Sequence, residues 1–147
     1  MQTKKLLLSA FALLAISGNL NLYAQCKTFA KKNCLPQVQP YTHNGQLNTL
    51  TMFAGESAEM EMSFFSGQQY KLLICAQGVL GDVNFRILDA ERKEIYNNKS
   101  NKFSPVYEFK SSSTQNLIIE VNVQKNEEST TGIVESGCVS VLVGFKQ

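Results

Sequence analysis

The chain has 147 residues, 44% hydrophobic and 18% charged, with fourteen basic residues, twelve acidic ones and a single histidine. That length supports one domain with a packed core and little more. A formal net charge of +2 leaves no basic surplus of the size that holds nucleic acid or an anionic membrane electrostatically.

The first 24 residues read as a secretory signal: Lys4 and Lys5, an apolar run from Leu6 to Ile16, the polar Ser17–Asn21, then Leu22-Tyr23-Ala24 with a small residue at the cut. The apolar run is about half of the ~20 residues that a membrane span needs. Cleavage near Ala24 is therefore expected, with a cut after Ser17 as a weaker alternative. A secreted or periplasmic protein without a membrane span results. Fourteen basic residues less Lys4 and Lys5 leave twelve, against twelve acidic, so the mature charge is near zero. A lipid-anchored outer-membrane form through Cys26 is the rival. It is opposed by Gln25, which stands where lipidation motifs place a small residue, and by the odd number of cysteines that would remain.

Residues 25–45 read as a short helix and a loop. Cys26 to Cys34 has an amphipathic helical pattern that Pro36 is expected to stop, and Asn44-Gly45 is a turn signal. Residues 46–147 then change to strand periodicity. Leu47–Phe53 is followed by Ala58, Met60, Met62 and Phe64 alternating with Glu59, Glu61 and Ser63, a half-buried strand with one wet face. Gln69–Ala76 places Tyr70, Leu72, Ile74 and Ala76 on one face, and Val83, Phe85 and Ile87 repeat the pattern. Lys93–Asn97 is a short strand. In Pro105–Lys110 the proline, lacking an N–H, points to an edge. Leu117, Ile119, Val121 and Val123 form a long strand, Asn126–Gly137 a long polar loop, and Val139, Val141, Val143 and Phe145 a last strand. Eight strands with Gly, Asn and Ser turns and no intervening helix predict an all-β fold: an antiparallel eight-stranded, jelly-roll-like β-sandwich with a short N-terminal helix.

Four cysteines in an exported chain predict two disulfides. A helix of about 1.5 Å rise per residue separates Cys26 from Cys34 by about 12 Å, beyond the roughly 7 Å that a disulfide tolerates. One arrangement thus bonds both to Cys75 and Cys138, which occupy the non-core phase of their strands, and lays the helix across an outer sheet face. The other joins Cys26 to Cys34 locally and Cys75 to Cys138 across neighbouring third and eighth strands. Both are structural, since no Cys-x-x-Cys pair is present, and ligand pairs at zinc-finger spacing are missing.

Candidate chemistry is sparse. His43 lies in a Thr-His-Asn-Gly turn with no Gly-x-Ser-x-Gly elbow in the chain. Glu59 and Glu61, about 7 Å apart on one strand face, have a glycosidase-like spacing but suit a solvated face. Asp82 and Asp89 are turn formers before they are calcium ligands. Tyr41 and Tyr107, with Tyr96 and Phe103, are candidate sugar platforms in a chain without tryptophan. Asn98-Lys99-Ser100 is a glycosylation sequon that matters only in a eukaryotic source.

Phe65-Ser-Gly-Gln-Gln-Tyr-Lys-Leu72, the hairpin Val83 to Ile95, and Leu117-Ile-Ile-Glu-Val121 resemble the bacterial pre-peptidase C-terminal type of β-sandwich. Cys26…Cys34-Leu-Pro-x-x-x-Pro-Tyr, the same hairpin and the ending Ser136 to Phe145 resemble a group of small secreted Bacteroidetes proteins of unknown function. The first resemblance implies a non-catalytic appendage; the second implies no activity. The expected function is a non-catalytic binding or interaction module without a cofactor, whose partner is a protein or glycan of the cell envelope. The alternatives are a carbohydrate-binding module at the cell surface and a hydrolase using His43 with Glu59/Glu61.

Overall fold

The computed structural model describes residues 21–125 and 132–146. Most of the expected signal segment, and the tip of the expected Asn126–Gly137 loop, lie outside them. Nine strands are present among the described residues: β1 (Thr42–His43), β2 (Asn48–Phe53), β3 (Ser57–Phe64), β4 (Gln69–Ala76), β5 (Val83–Leu88), β6 (Glu94–Asn97), β7 (Val106–Lys110), β8 (Gln115–Val123) and β9 (Ser136–Lys146). The eight predicted strands all appear. The ninth is the two-residue β1, too short to show any periodicity.

The strands form two antiparallel sheets. In one, β9 pairs with β4 and β4 with β7, while β1 and β2 share the other side of β9; the second runs β3-β8-β5-β6. Apart from β1 and the β5–β6 hairpin, successive strands alternate between sheets, the wound arrangement of a jelly roll. The third and eighth predicted strands, β4 and β9, are neighbours from Gln69 opposite Lys146 to Ala76 opposite Val139. Pro105 precedes β7, which is an edge strand as its missing N–H suggested.

Period-2 alternation puts Tyr70, Leu72 and Ile74 of β4, Val139, Val141 and Val143 of β9, Phe85 and Ile87 of β5, and Leu117 to Val123 at alternate positions of β8 into the layer between the sheets. The opposite phase of β4 and β9 forms a second core, in which Leu73, Cys75 and Leu142 pack against Cys34, Val38 and Tyr41. The N-terminal segment therefore covers the outer face of the β9 sheet. It opens as α1 (Asn21–Phe29), which begins ahead of Gln25, the expected mature start. It then widens into a π-helical turn over Ala30–Cys34 and tightens to a 3₁₀ turn over Leu35–Val38. Pro36 does not stop the helical path as predicted. It stands in the first turn of the 3₁₀ segment, where the missing N–H has no partner to lose.

Both disulfides join this segment to the sheet, Cys26–Cys138 and Cys34–Cys75, with Cα separations of 5.2 and 5.7 Å. Eight α-helical steps of about 100° would set Cys34 about 80° round the axis from Cys26. The wider i→i+5 turns of residues 30–34 take fewer degrees per residue and bring both sulfurs to the sheet side. The local Cys26–Cys34 loop is not formed.

Gly144 marks how closely the segment lies. A Cβ there would stand 2.5 Å from Val38 Cγ1 and 2.6 Å from Tyr41 Cβ, so only hydrogen fits beneath the strap. Gly144→Ala should cost about 1–3 kcal/mol through overpacking, read as a lower urea midpoint at unchanged slope. In the loop-entropy account, removing the 112-residue Cys26–Cys138 closure costs about 4.8 kcal/mol and the 41-residue Cys34–Cys75 closure about 3.9 kcal/mol. Paired Cys→Ser variants should therefore both lose stability, the first more, and a reversed order would show that strap packing outweighs loop closure.

Candidate functional site

The two lateral edges of the sandwich differ. At one, Tyr96 of β6 stacks on Tyr107 of β7 with ring centroids 4.0 Å apart. The stack continues through Phe109 at 5.3 Å to Tyr70 and Phe64, so aromatic rings close the gap between the sheets. At the other, β2 and β3 are joined by a tight turn and diverge into opposite sheets, and the rings that reach it, Phe64, Tyr70 and Phe145, line the space without filling it. Two adjoining hollows of about 630 and 300 Å³ open there.

This groove is the candidate site. Met60 and Met62 form one wall, and Val141 and Val143 reach its floor from β9. Asn44, Gln46 and Asn48 supply amides on the β2 side, while Glu61 stands at the rim. Its chemistry follows from the alternation of β3: apolar residues face the sheet interface, yet with no strand beyond β3 among the described residues they stay half-buried. Methionine suits such a surface because its unbranched thioether adapts to different contacts. Amides, carboxylates and apolar side chains in an open hollow can hold a ligand, and the lining carboxylate Glu59 is already engaged by Arg92.

The residues that the sequence put forward lie in several places. Tyr41 is buried between the strap, to which it belongs, and the sheet, where its hydroxyl donates to Glu108 Oε2 at 3.0 Å and Lys146 Nζ sits 4.5 Å from its ring centroid. Tyr107, on the opposite face of the same sheet, belongs to the closed aromatic edge. The structure thus does not bring the two tyrosines together, and neither lines the groove. His43 Nε2 is 3.1 Å from the Gln46 carbonyl, and its Nδ1 accepts the Gly45 N–H at 3.2 Å, which makes the ring a turn brace. Glu59 is held by Arg92 on the wet face of the second sheet, and no hydrogen bond or ion pair among the described residues joins His43 to Glu59 or Glu61. Asp89 accepts the N–H groups of Glu91 and Lys93 and closes the β5–β6 turn. Among the described residues no cluster of three or more His, Cys, Asp or Glu side chains could hold a metal ion.

Two features escaped the sequence reading. On the wet face, Arg86 binds Glu120 through two hydrogen bonds of 2.9 and 2.7 Å, so Glu120, directly opposite Glu59, is neutralised by Arg86 while Arg92 neutralises Glu59. The second is Asn98, fully buried. Its Nδ2 donates to the carbonyls of Val83 and Ser104, and its Oδ1 accepts from Asn84 Nδ2 and the Phe85 N–H. The sequon asparagine is therefore consumed inside the fold, where no glycan can be attached.

No family model and no curated protein matches the chain. Among solved structures, the Aeromonas hydrophila periplasmic inhibitor of g-type lysozyme, PliG, is similar in fold, with a TM-score of 0.51 at 11% identity over 73% of this chain and 89% of that one. The PliG of Salmonella Typhimurium gives 0.41 at 9% identity over 69% and 86%. A CBM36-1 domain of a multidomain xylanase, from the hindgut metagenome of Trinervitermes trinervoides, gives 0.35 at 15% over 75% and 93%. At these identities the likeness to the Aeromonas protein is one of β-sandwich fold. Among the described residues no helix is long and apolar enough to cross a membrane.

Burial, and then the hydrogen bond to Glu108, raise the Tyr41 phenol above its ordinary 10.0. Its contribution to holding the strap is complete below that ordinary value and is lost as pH rises through the raised one. Tyr41→Phe should therefore flatten the alkaline limb of a stability–pH curve. Arg92 above all holds the Glu59 carboxyl below its ordinary 4.5, so the stability it lends is present above 4.5 and lost as pH falls through the lowered value. Glu59→Gln should flatten the acid limb. Asn98→Ala, which takes the acceptor from the Phe85 N–H and the donor from the Val83 and Ser104 carbonyls while leaving Asn84 its bond to Asn97, should cost about 2–4 kcal/mol in urea unfolding.

Proposed function

We propose that the chain is an exported, non-catalytic binding protein whose ligand surface is the β2–β3 groove and whose partner is another protein. The observation that carries this reading is the asymmetry of the sandwich. One lateral edge is sealed by stacked aromatics, while the other is left as a groove with adaptable apolar walls and amide rims. Two disulfides favour an oxidising compartment and hold the sheet behind the groove as a rigid platform. The expected signal segment and the resemblance to secreted proteins of unknown function agree with that address. The fold likeness to a periplasmic protein that inhibits a lysozyme favours a protein ligand and a mode of action that needs no chemistry of its own. His43 and Glu59, each engaged in a structural contact, support this reading over hydrolysis.

The test places the photo-crosslinking residue p-benzoylphenylalanine in the disulfide-bonded protein within its native cells. At Asn48, in the groove, irradiation should yield a discrete covalent protein adduct; at Lys99, beside the closed edge, it should not. Saturable binding on a glycan array with no protein adduct would transfer the groove to the carbohydrate reading. Adducts of equal yield from both positions would remove the groove from the proposal.

A further inference from the structure

We propose that the free edge of β3 takes up an extended segment of the partner as an added strand, with a basic side chain opposite Glu61 and apolar side chains over Met60 and Met62. This deepens the reading of the groove as a protein-binding site and rests on it.

The backbone comes first. β3 pairs with β8 without a register break from Ser57 opposite Asn122 to Phe64 opposite Gln115. Among the described residues it pairs with no strand on its other side, so alternate N–H and C=O groups along that side have no ladder partner there. Proteins blunt such edges with proline, lysine, bulges or short strands. β3 carries charge only on its wet face, at Glu59 and Glu61, and is otherwise unblunted: it is eight residues long, regular, and free of Pro and Lys. By contrast β2, at the same edge, is shorter, and the Phe53 N–H at its end is already taken by the Glu56 carboxylate at 2.9 Å.

The side chains then select the occupant. Ala58, Met60 and Met62 pack against the main core but are only half-buried. A strand laid beside β3 would place alternate side chains over them and extend that core by one row. On the wet face Glu59 is already satisfied by Arg92, whereas Glu61, at the groove's rim, has no ion-pair or hydrogen-bond partner among the described residues. The position opposite Glu61 therefore favours Lys or Arg.

Charge also disfavours a second copy of this chain. Directly opposed residues in an antiparallel pair share a face, so two β3 strands about a twofold axis must match Glu59 with Glu61, or Glu61 with its own copy, in their two longest registers. Like charges directly opposite one another oppose pairing. A hetero-partner whose strand alternates basic and apolar residues meets no such penalty.

The test uses the intact, disulfide-bonded protein and a fluorescein-labelled peptide, Lys-Val-Lys-Val-Lys-Val-Lys, followed by anisotropy. Saturable binding is expected, with slowed amide exchange along β3 and none of comparable size along β6. The peptide Glu-Val-Glu-Val-Glu-Val-Glu should bind more weakly, and Glu61→Lys should move the preference toward it by about tenfold. N-methylation of alternate peptide amides, which removes ladder donors but leaves charge and apolar surface, should abolish binding in one of the two phases. No saturable binding, equal affinity for both peptides, or binding indifferent to N-methylation in both phases would overturn strand addition. A crosslink from Asn48 persisting alongside such a result leaves the groove reading standing and removes only this mode.

Discussion

Everything else in this structure leans on the strap that the N-terminal segment lays across the outer face of the β9 sheet. A β-sandwich ordinarily has one dry face per sheet, between the layers, and one wet face. Here β9 is dry on both: Val139, Val141 and Val143 face the other sheet, while Leu142 and Gly144 face the strap. Two disulfides hold the strap where contacts from Val38, Tyr41 and Cys34 alone would have to offset the entropy of ordering it. A double-sided β9 then serves as a stiff spine that carries β4 on one side and both β1 and β2 on the other.

That spine explains the unequal edges. Among the described residues β2 pairs only with β9 and β3 only with β8, and the turn between them sends the two strands into opposite sheets. Phe64, Tyr70 and Phe145 line the wedge they leave without filling it, whereas Tyr96 and Tyr107 close the far side. The outer face of the second sheet, which no described segment crosses, is held by charge: Arg86 and Arg92 neutralise Glu120 and Glu59 on adjacent strands. One sheet is thus covered by chain and the other by ion pairs, and the groove sits where neither reaches.

The strands were legible because period-2 alternation is a local property of the sequence, set by the geometry of the extended chain. Ala58, Met60, Met62 and Phe64 announce a half-buried strand wherever it pairs. The outward phase of Cys75 and Cys138 was legible for the same reason, and it kept the strapped arrangement among the two that the cysteines allowed. The path through Pro36 was misread because proline breaks a continuing helix but not the first turn of a new one, and residue order does not show where one helical form gives way to another. Asn98 read as a sequon because its three-residue pattern carries no information about burial. Tyr41 and Tyr107 read as platforms because an aromatic residue looks alike whether it faces a ligand, a strap or another ring.

The sequence by itself determined the class of fold, the number of long strands, the oxidising destiny of the cysteines and the scarcity of catalytic groups, since each follows from composition or short-range spacing. Only the tertiary structure decided which cysteines bond, which edge closes and which opens, and hence where a ligand can lie. Those depend on strand order and on contacts between residues far apart in the chain, such as Tyr96 with Tyr107 or Cys26 with Cys138. Local periodicity names a strand's faces; only pairing names its neighbours, and an edge is open or closed by its neighbours alone.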